Sequence, residues 1–442
     1  MRECAVLRIG IVGGGAAGVL VAGHVLKQAA ALGRPVGITV VEPRERLGEG
    51  IAYSTNDPLH LLNVRAGGMS ALADQPDHFR VWAGADDAEF LPRASYAPYL
   101  RDFLAGAEGK SGQIEHVRKS ATGLWSEQAG VRLATDGDDG PGEFFDRVVI
   151  ATGNRFPALP STVRLSHDAA ALVSLNPWLA GPAVAAGSRL LVIGSGLSAV
   201  DAVVSLLTRD LSATAVMVSR HGLLPARHQL PGLPVTPPIT EAALADGLSL
   251  SDALRAFREA GDDWRPLVDS LRSTTPQLWQ ALGQARQEQF ARHLRRLWDV
   301  HRHRMAPQIA DSIDTWLAEG RLRVEAASIN AIDLGAGGVR VLAADGREWE
   351  ADRVVVATGP ADAVSGCPLL GPLVTQGRVV PGSLGWGVSV EADSLRPLNP
   401  SGEPWRSLYV VGPPNRGTLL ESTAVPEIRV QAASIAASLL AG

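Results

Sequence analysis

The stretch Arg8-Ile9-Gly10-Ile11-Val12-Gly13-Gly14-Gly15-Ala16-Ala17-Gly18 decides the fold. An apolar strand runs straight into a GxGxxG turn, and the turn opens into a helical pattern over Ala16 to Ala31. Gly13 permits the tight turn, Gly15 lets a pyrophosphate touch backbone, and Gly18 lets the helix pack closely on the strand. A second apolar strand, Val36 to Val41, follows and ends on Glu42, whose carboxylate can accept hydrogen bonds from both hydroxyls of a ribose. A GxGxxG alone is common by chance. Strand, turn, helix, second strand and terminal acid in this order predict a dinucleotide site. The acid favours a ribose without a 2′-phosphate, so FAD or NAD rather than NADP.

The chain has 442 residues, enough for two or three domains with a core each. At 46% hydrophobic and 20% charged residues, its composition is that of an ordinary soluble globular protein. The 41 basic and 46 acidic residues leave a net charge of −5, which gives no electrostatic footprint for nucleic acid. No apolar run approaches a membrane span without Gly, Pro or charge interrupting it. Arg2 and Glu3 precede a short strand that runs into glycines, a pattern unlike a signal peptide. The two cysteines, Cys4 and Cys367, are far apart, which argues against a CxxC redox pair and a disulfide-reductase mechanism and suggests a reducing cytoplasm.

After Glu42 the chain loses periodicity through Ile51-Ala52-Tyr53-Ser54-Thr55, His60-Leu61-Leu62-Asn63-Val64 and Ala66-Gly67-Gly68-Met69-Ser70. Two readings stand. This is a surface loop in which His60 and Asn63 satisfy backbone groups, or it wraps a flavin, with His60 and Asn63 beside the ring in a positioning role. Phe90 to Ala105 reads as a helix, and Ile114 to Leu133 as paired strands with a glycine-rich turn. Asp146 to Gly153 is a buried strand whose small ending, Thr152-Gly153, lets backbone sit close to a ligand at the carboxyl edge of a sheet.

The plan then repeats. Strand Arg189 to Ile193 leads into Gly194-Ser195-Gly196-Leu197-Ser198-Ala199, a GxGxxA turn opening a helix over Ala199 to Leu207. The next strand, Ala213 to Val218, ends on Ser219-Arg220-His221, so the ribose position carries a cation. Arg220 can pair with a 2′-phosphate, which implies NADP(H); the plainer alternative is a solvated arginine at a strand end. Arg321 to Ile332, Gly338 to Leu342 and Trp349 to Gly359 reproduce the meander and the Ala-Thr-Gly ending. One nucleotide-binding plan thus occurs twice, acidic first and basic second, and two different nucleotides are expected.

An insert from about Gln229 to Ala310 interrupts the second copy. It opens with a proline-rich turn, Pro231 to Pro238, and continues in helical pattern through Leu244, Leu248, Leu254, Phe257, Trp264 and Leu267. Its last helix carries Phe290, Leu294, Leu297 and Trp298 on one face, and also Arg292, Arg295, Arg296, Arg302 and Arg304. Those arginines are a solvated face, or they meet a phosphate or an acidic substrate such as an amino acid. His301 and His303 are two apart and cannot share a helix face, so no metal site is expected. At the end of the chain, strand Leu408 to Gly412, the loop Gly417 to Thr423 and a helix beginning near Pro426 and Glu427 return to the opening domain. The positive end of that helix can face a flavin ring.

The GGGAAG turn, GIAYST, HLLNV, MSA, GSGLSAVD, SRHGLLP, RRLWDVHRHRM and ESTAVPEIR together resemble the bacterial FAD/NAD(P)-binding proteins of the YdhS type, over nearly the whole chain. More distantly the chain is similar to the class B flavoprotein monooxygenases. The resemblance implies a two-dinucleotide-binding α/β fold of Rossmann type. It also implies FAD and NADPH as cofactors, and oxygen passed from a flavin C4a-hydroperoxide to a small substrate. The assigned relatives of that type include enzymes that N-hydroxylate the amino group of aspartate. Two departures are visible. The Gly-Asp of the wider superfamily is here Gly412-Pro413, and the Baeyer-Villiger fingerprint does not fit the spacing around His167 and Trp178.

The expected organisation is an FAD-binding domain over 1–155 and 355–442, enclosing an NADP-binding domain over 156–354 with the helical insert 229–310. Gly13, Gly15, Ala16, Ala17, Gly18, Glu42, Met69, Thr152, Gly153, Gly412 and Thr423 are expected at FAD. Gly194, Gly196, Ser198, Ala199 and Arg220 are expected at NADPH. The expected reaction is N-hydroxylation of an amino acid or amine. The competing readings are an NADPH-driven flavin reductase that never oxygenates, and a nucleotide-binding regulator without turnover.

Overall fold

The structure, a computed structural model, describes residues 6–109, 112–178, 186–229, 239–247, 249–261 and 264–441. Cys4, Leu248 and the proline-rich turn Pro231 to Pro238 lie outside the described residues, as does the side chain of Leu244.

Two five-stranded parallel sheets carry the two nucleotide plans. The first runs, in spatial order, Leu408–Val410, Arg147–Ile150, Leu7–Val12, Val36–Val41, Gly112–Val117. The second runs Leu322–Ala326, Thr214–Ser219, Arg189–Ile193, Arg353–Val356, Val173–Ser174. In both, the strand that feeds a glycine turn sits at the centre, and its neighbours are parallel to it. A central parallel strand is covered on both faces and must be apolar on both. Ile9 and Ile11 are accordingly fully buried in one sheet, as is Val192 in the other. The helix Ala16–Leu32 makes the first crossover and ends on Gly33 in the left-handed conformation, φ 62°. The C-terminal helix Val425–Ala441 lies along it, with Gln28 donating to the carbonyl of Ala433.

Three expectations change. Gly112–Val117 is not part of a meander; it is the outer strand of the first parallel sheet, paired with Val36–Val41. The antiparallel meander comprises Ala121–Ser126, Val131–Thr135 and Glu143–Phe145. An edge strand of a parallel sheet is half exposed, so it alternates in sequence just as a meander strand does. Leu322–Ala326 plays the same part in the second sheet. The helix expected from Phe90 starts only at Tyr96, because Pro92 holds an extended conformation and a single 3₁₀ turn, Arg93–Ser95, intervenes. The basic helix of the insert is not continuous: Thr275–His293 is itself kinked at Gly283 (φ 67°), Arg295–Arg302 follows after a break at Leu294, and Arg304 lies beyond both. Among the described residues no helix is long and apolar enough to cross a membrane.

The loop after Glu42 ties the two sheets' layers together. Arg209, on the helix Leu197–Arg209, holds Asp57 in a two-pronged contact at 2.6 and 2.7 Å. Asp201 on the same helix accepts from Trp178 Nε1 at 2.9 Å and faces Arg93 Nε at 3.2 Å. That last contact is off line for a hydrogen bond, so it is ionic. Both charges are about nine-tenths buried. Removing one partner of such a pair leaves the other charge uncompensated, at a cost of about 3–5 kcal/mol. Asp201→Ala is therefore expected to lower the thermal unfolding midpoint, and Arg93→Met in the same chain to recover part of the loss. A midpoint within about one degree of the wild type would contradict the assignment.

Candidate functional site

The first glycine turn is shaped by close backbone approach. Gly13 has φ 102°, and a Cβ there would lie 2.4 Å from the carbonyl oxygen of Ala151. A Cβ on Gly18 would lie 1.9 Å from the carbonyl oxygen of Gly13. Gly15 precedes the helix Ala16–Leu32 with no side-chain cap and no acid in the first turn. The N–H groups of Ala16, Ala17 and Gly18 therefore present a positive helix end to an anion. Glu42 is 5% exposed and accepts from the Gly14 N–H at 2.9 Å and the Arg44 N–H at 3.0 Å. This fixes the carboxylate beside the turn. The chain beyond it folds back over the same place: Gly48 donates to the Gly14 carbonyl at 2.7 Å, and Gly50 approaches Gly15.

Distant pieces converge here. Thr152, exposed, and Gly153, φ 66°, follow the strand beside Gly13. Gly412, φ 81°, sits where a Cβ would lie 3.7 Å from Ala17 Cβ and 3.8 Å from the Ser422 carbonyl. Its N–H donates to Gln431 of the C-terminal helix at 2.9 Å, and Pro413 opens the 3₁₀ turn Pro413–Asn415. Thr423 is exposed at the mouth of that helix, while Met69 is only 2% exposed, its carbonyl accepting from the Tyr96 hydroxyl. Asn415 Oδ1 and Ser422 Oγ in this loop are buried without hydrogen-bond partners. Unpaired buried polar atoms are rare in a finished site, and their presence beside an uncapped helix end fits a dinucleotide cradle.

The second turn repeats the geometry. Gly194 has φ 124°, and its Cβ would meet the Ala357 carbonyl oxygen at 2.2 Å. Gly196 precedes the helix Leu197–Arg209, again without a side-chain cap, and Ser198 and Ala199 lie in its first turn. Ser195 is buried and donates to the Leu223 carbonyl at 2.6 Å. Arg296, from the insert, donates to Ser195 Oγ at 3.0 Å and to the Leu223 carbonyl at 3.1 Å. Arg220 is exposed at the end of the adjoining strand. Burial pushes the guanidinium of Arg296 below its ordinary value; Asp299 opposes this and Arg220 adds to it. Arg295 is pushed down by burial first and by Arg416, Arg220 and Arg296 as further causes, against Asp299 at 3.7 Å. Cations that lower one another's basicity are short of negative charge, and an anion bound among them relieves it.

Three of the remaining arginines of the basic stretch are engaged elsewhere. Arg302 faces Glu421 at 3.6 Å and Glu427 at 3.4 Å, and Arg304 forms an ion pair with Asp269. Arg295 lies over the Trp386 ring, 4.4 Å from its centroid, and Arg292 is exposed. Glu421 also accepts from Trp298 Nε1 at 3.0 Å; Arg302, His303 and this bond outweigh burial and hold its carboxyl below the usual range. Just before it, Leu420 has φ 58° and ψ −57°. Such a conformation costs a non-glycine residue on the order of 1–3 kcal/mol. It is held by Trp298 on Glu421 and by Trp279 Nε1, which donates to the Gly417 carbonyl at 2.8 Å.

His60 is 1% exposed, with one ring nitrogen 2.7 Å from Thr55 Oγ1 and the other 2.6 Å from Ser205 Oγ. Burial keeps it below its ordinary value, against the pull of Asp201 and Asp57. Its ring is thus locked between the loop and the helix of the second turn. Asn63 is half-buried, and its carbonyl lies 3.1 Å from His228 Nε2. Burial, then Arg304, push His228 down to about 4. A histidine whose folded pKa is depressed binds its proton first in the unfolded chain. The stability it contributes is complete above pH 6.5 and drains away toward pH 4. The loss is up to about 3 kcal/mol for His228, and burial lowers His24, His60, His78 and His303 in the same direction. Thermal melts are expected to fall steadily from pH 7 to pH 5, less steeply for His228→Gln. An identical slope in that variant would remove His228 from the account.

Residues 10–155 match the family model described as FAD-NAD(P)-binding. The matched stretch contains the first turn, Glu42, His60, Asn63, Met69, Thr152 and Gly153. No curated protein matches the chain in sequence. Solved structures match it over its whole length. The Kutzneria sp. 744 ornithine N-hydroxylase, with reduced FAD, NADP⁺ and L-ornithine, aligns at a TM-score of 0.65 and 16% identity, covering 99% of each chain. The L-lysine 6-monooxygenase of Pseudomonas syringae aligns at 0.61 and 18%, covering 98% of this chain and 99% of that one. A bacillithiol disulfide reductase from Staphylococcus aureus aligns at 0.58 and 13%, covering 99% and 98%. At these identities the likeness is one of fold, and the chain has the α/β two-dinucleotide fold expected of it. Oxygenating and reducing proteins share that fold, so the choice between them falls to the site.

Proposed function

We propose that the chain is an FAD- and NADPH-dependent monooxygenase that places one oxygen atom on the nitrogen of a small amino acid or amine. The observation that carries this reading is the pairing of two glycine turns of opposite character in one chain. The first has Glu42 fixed beside it; the second has Arg220 and Arg296. The whole-length likeness to ornithine and lysine hydroxylases adds support for nitrogen as the acceptor.

In this reading 1–155 and 355–442 form the FAD-binding domain, and 156–354 with the insert 229–310 the NADP-binding domain. Gly13, Gly15, Ala16, Ala17 and Gly18 hold the FAD pyrophosphate by backbone, and Glu42 its ribose. Met69, Thr152, Gly153, Gly412 and Thr423 complete the cradle. Gly194, Gly196, Ser198 and Ala199 hold the NADPH pyrophosphate, and Arg220 with Arg296 the 2′-phosphate. Bound FAD supplies the redox and oxygen chemistry. Across the reaction NADPH gives two electrons as hydride, one oxygen atom forms the N–O bond, and the other leaves as water. His60 is a positioning residue that keeps the loop docked on the second turn's helix. Asn63, held by its carbonyl, stands beside the same helix.

The same fold in a disulfide reductase makes an NADPH-driven reductase the second reading. Cys367 is the only cysteine among the described residues and it is buried, which disfavours thiol chemistry. The test is NADPH oxidation by purified holoprotein over a panel of amines and amino acids, with peroxide measured and products analysed for incorporated ¹⁸O₂. A substrate that suppresses peroxide and gains one labelled oxygen supports oxygenation. Rapid flavin bleaching by NADPH with no labelled product from any amine would leave the reductase. A flavin that NADPH does not bleach would leave a non-catalytic nucleotide binder.

A further inference from the structure

The helical insert holds a pocket of about 390 Å³ between the helices Leu250–Glu259, Trp264–Ser270, Thr275–His293 and Arg295–Arg302. Phe257, Trp264, Leu278, Trp279, Leu282 and Trp298 are among the apolar side chains that line it. Of its polar members Arg258 is exposed, and the other three are turned to the chain rather than to the contents. Thr275 Oγ1 donates to the Leu271 carbonyl at 2.7 Å, His301 Nδ1 lies 2.7 Å from the Leu297 carbonyl, and Ser249 caps its own helix. The indole N–H groups of Trp279 and Trp298 go to Gly417 and Glu421.

Those two bonds fasten the wall to the C-terminal loop, and Leu420, between their acceptors, lines the pocket itself. The same loop approaches the first glycine turn through Gly412 and Ser422. The pocket therefore abuts the cofactor cradle from the insert side. Arg296, Arg302 and Arg304 are not in its lining, and Arg258, which is, is exposed, so solvent screens the charge it offers an acid. Ligand pockets usually measure some 300–1,000 Å³ and are lined mainly by apolar side chains with a few polar ones. An apolar cavity of roughly 150 Å³ already accepts benzene.

We infer that this pocket is the substrate site and that it takes a molecule whose body is an aromatic or branched aliphatic group. That the reacting atom is an amine nitrogen rests on the proposed monooxygenase reading; the apolar body does not. The polar end of the molecule is directed to the Leu420 side, where the loop meets the cradle.

The experiment is calorimetric titration of oxidised, FAD-loaded protein, without NADPH, by 2-phenylethylamine, 3-methylbutylamine and L-aspartate. Saturable one-to-one binding of the two apolar amines, with none for aspartate, is expected. Leu282→Trp, which fills the pocket, should weaken them by about tenfold or more. Should that variant not fold, Phe257→Ala enlarges the pocket and should shift preference from 2-phenylethylamine toward 2-(1-naphthyl)ethylamine. Absence of saturable binding by the apolar amines, tighter binding of aspartate, or an unchanged order in the variants overturns the inference. Flavin bleaching by NADPH is read separately. Intact bleaching with no amine binding sinks the pocket and spares the redox reading; amine binding with no labelled product does the reverse.

Discussion

Gly18→Ala is expected to yield protein that carries almost no flavin, or that fails to fold around its first sheet. The methyl group would stand 1.9 Å from the Gly13 carbonyl oxygen, with Ile11 Cγ2 at 3.3 Å on the other side. The obstacle is backbone, so no side-chain rotation relieves it. The helix Ala16–Leu32 must lift from the central strand, and the N–H groups at its start then leave the anion position. Overpacking of this kind costs about 3 kcal/mol or more, which is roughly a hundredfold in cofactor affinity. Gly194→Ala repeats the insult in the second sheet, at φ 124° and 2.2 Å from the Ala357 carbonyl oxygen. It is expected to keep FAD and lose NADPH-driven bleaching. The flavin absorbance of the purified variants, and its bleaching by NADPH, read both. A Gly18→Ala protein with a full complement of flavin would mean that the turn does not hold it.

Both glycine turns were legible in sequence because the pattern that marks them is local, although the backbone that crowds Gly13 and Gly194, at Ala151 and Ala357, is distant. Leu7 to Glu42 spans one strand, one helix and one strand, and the same is true of Arg189 to Arg220. Of the distant parts, the return of Leu408 to Thr423 to the opening domain was expected from the sequence, but the contacts it makes and the partner of the second turn were not. Gly412 approaches Ala17 only because Leu408–Val410 joins the first sheet beside Arg147–Ile150. Arg296 reaches Ser195 across 101 positions, from an insert whose periodicity says nothing about where it docks. The five arginines from Arg292 to Arg304 read alike as letters, yet Arg302 and Arg304 pair with carboxylates, Arg296 serves the second turn, Arg295 lies over Trp386 and beside Asp299, and Arg292 is exposed. Buried ion pairs such as Arg302 with Glu421 and Glu427 leave no pattern in either stretch alone. The ambiguity of His60 and Asn63 has the same origin: the partners that lock the His60 ring, Thr55 and Ser205, include one 145 positions away. The pocket in the insert was equally hidden, since apolar positions at helical spacing predict only that a face is covered, not that it surrounds a space.

Arg220→Ala is expected to raise the apparent Kd for NADPH by about 10- to 100-fold while changing that for NADH by less than about threefold. One hydrogen bond to a charged group contributes roughly 1.5–3 kcal/mol, and only NADPH carries the 2′-phosphate. Arg220 is exposed, so part of its contribution is screened, and the effect should shrink in high salt. Arg296 is more buried and touches the turn as well as the charge cluster, so Arg296→Ala should weaken both nucleotides, NADPH more. Ser195→Ala separates these two effects. It removes the Arg296 hydroxyl contact while leaving the guanidinium in place, and it should weaken NADH and NADPH equally. If Arg220→Ala weakens NADH as much as NADPH, the cation at the strand end does not read the phosphate. The basic character of the second turn would then belong to Arg296 alone, and the Arg220 position would be the solvated strand end that sequence also allows.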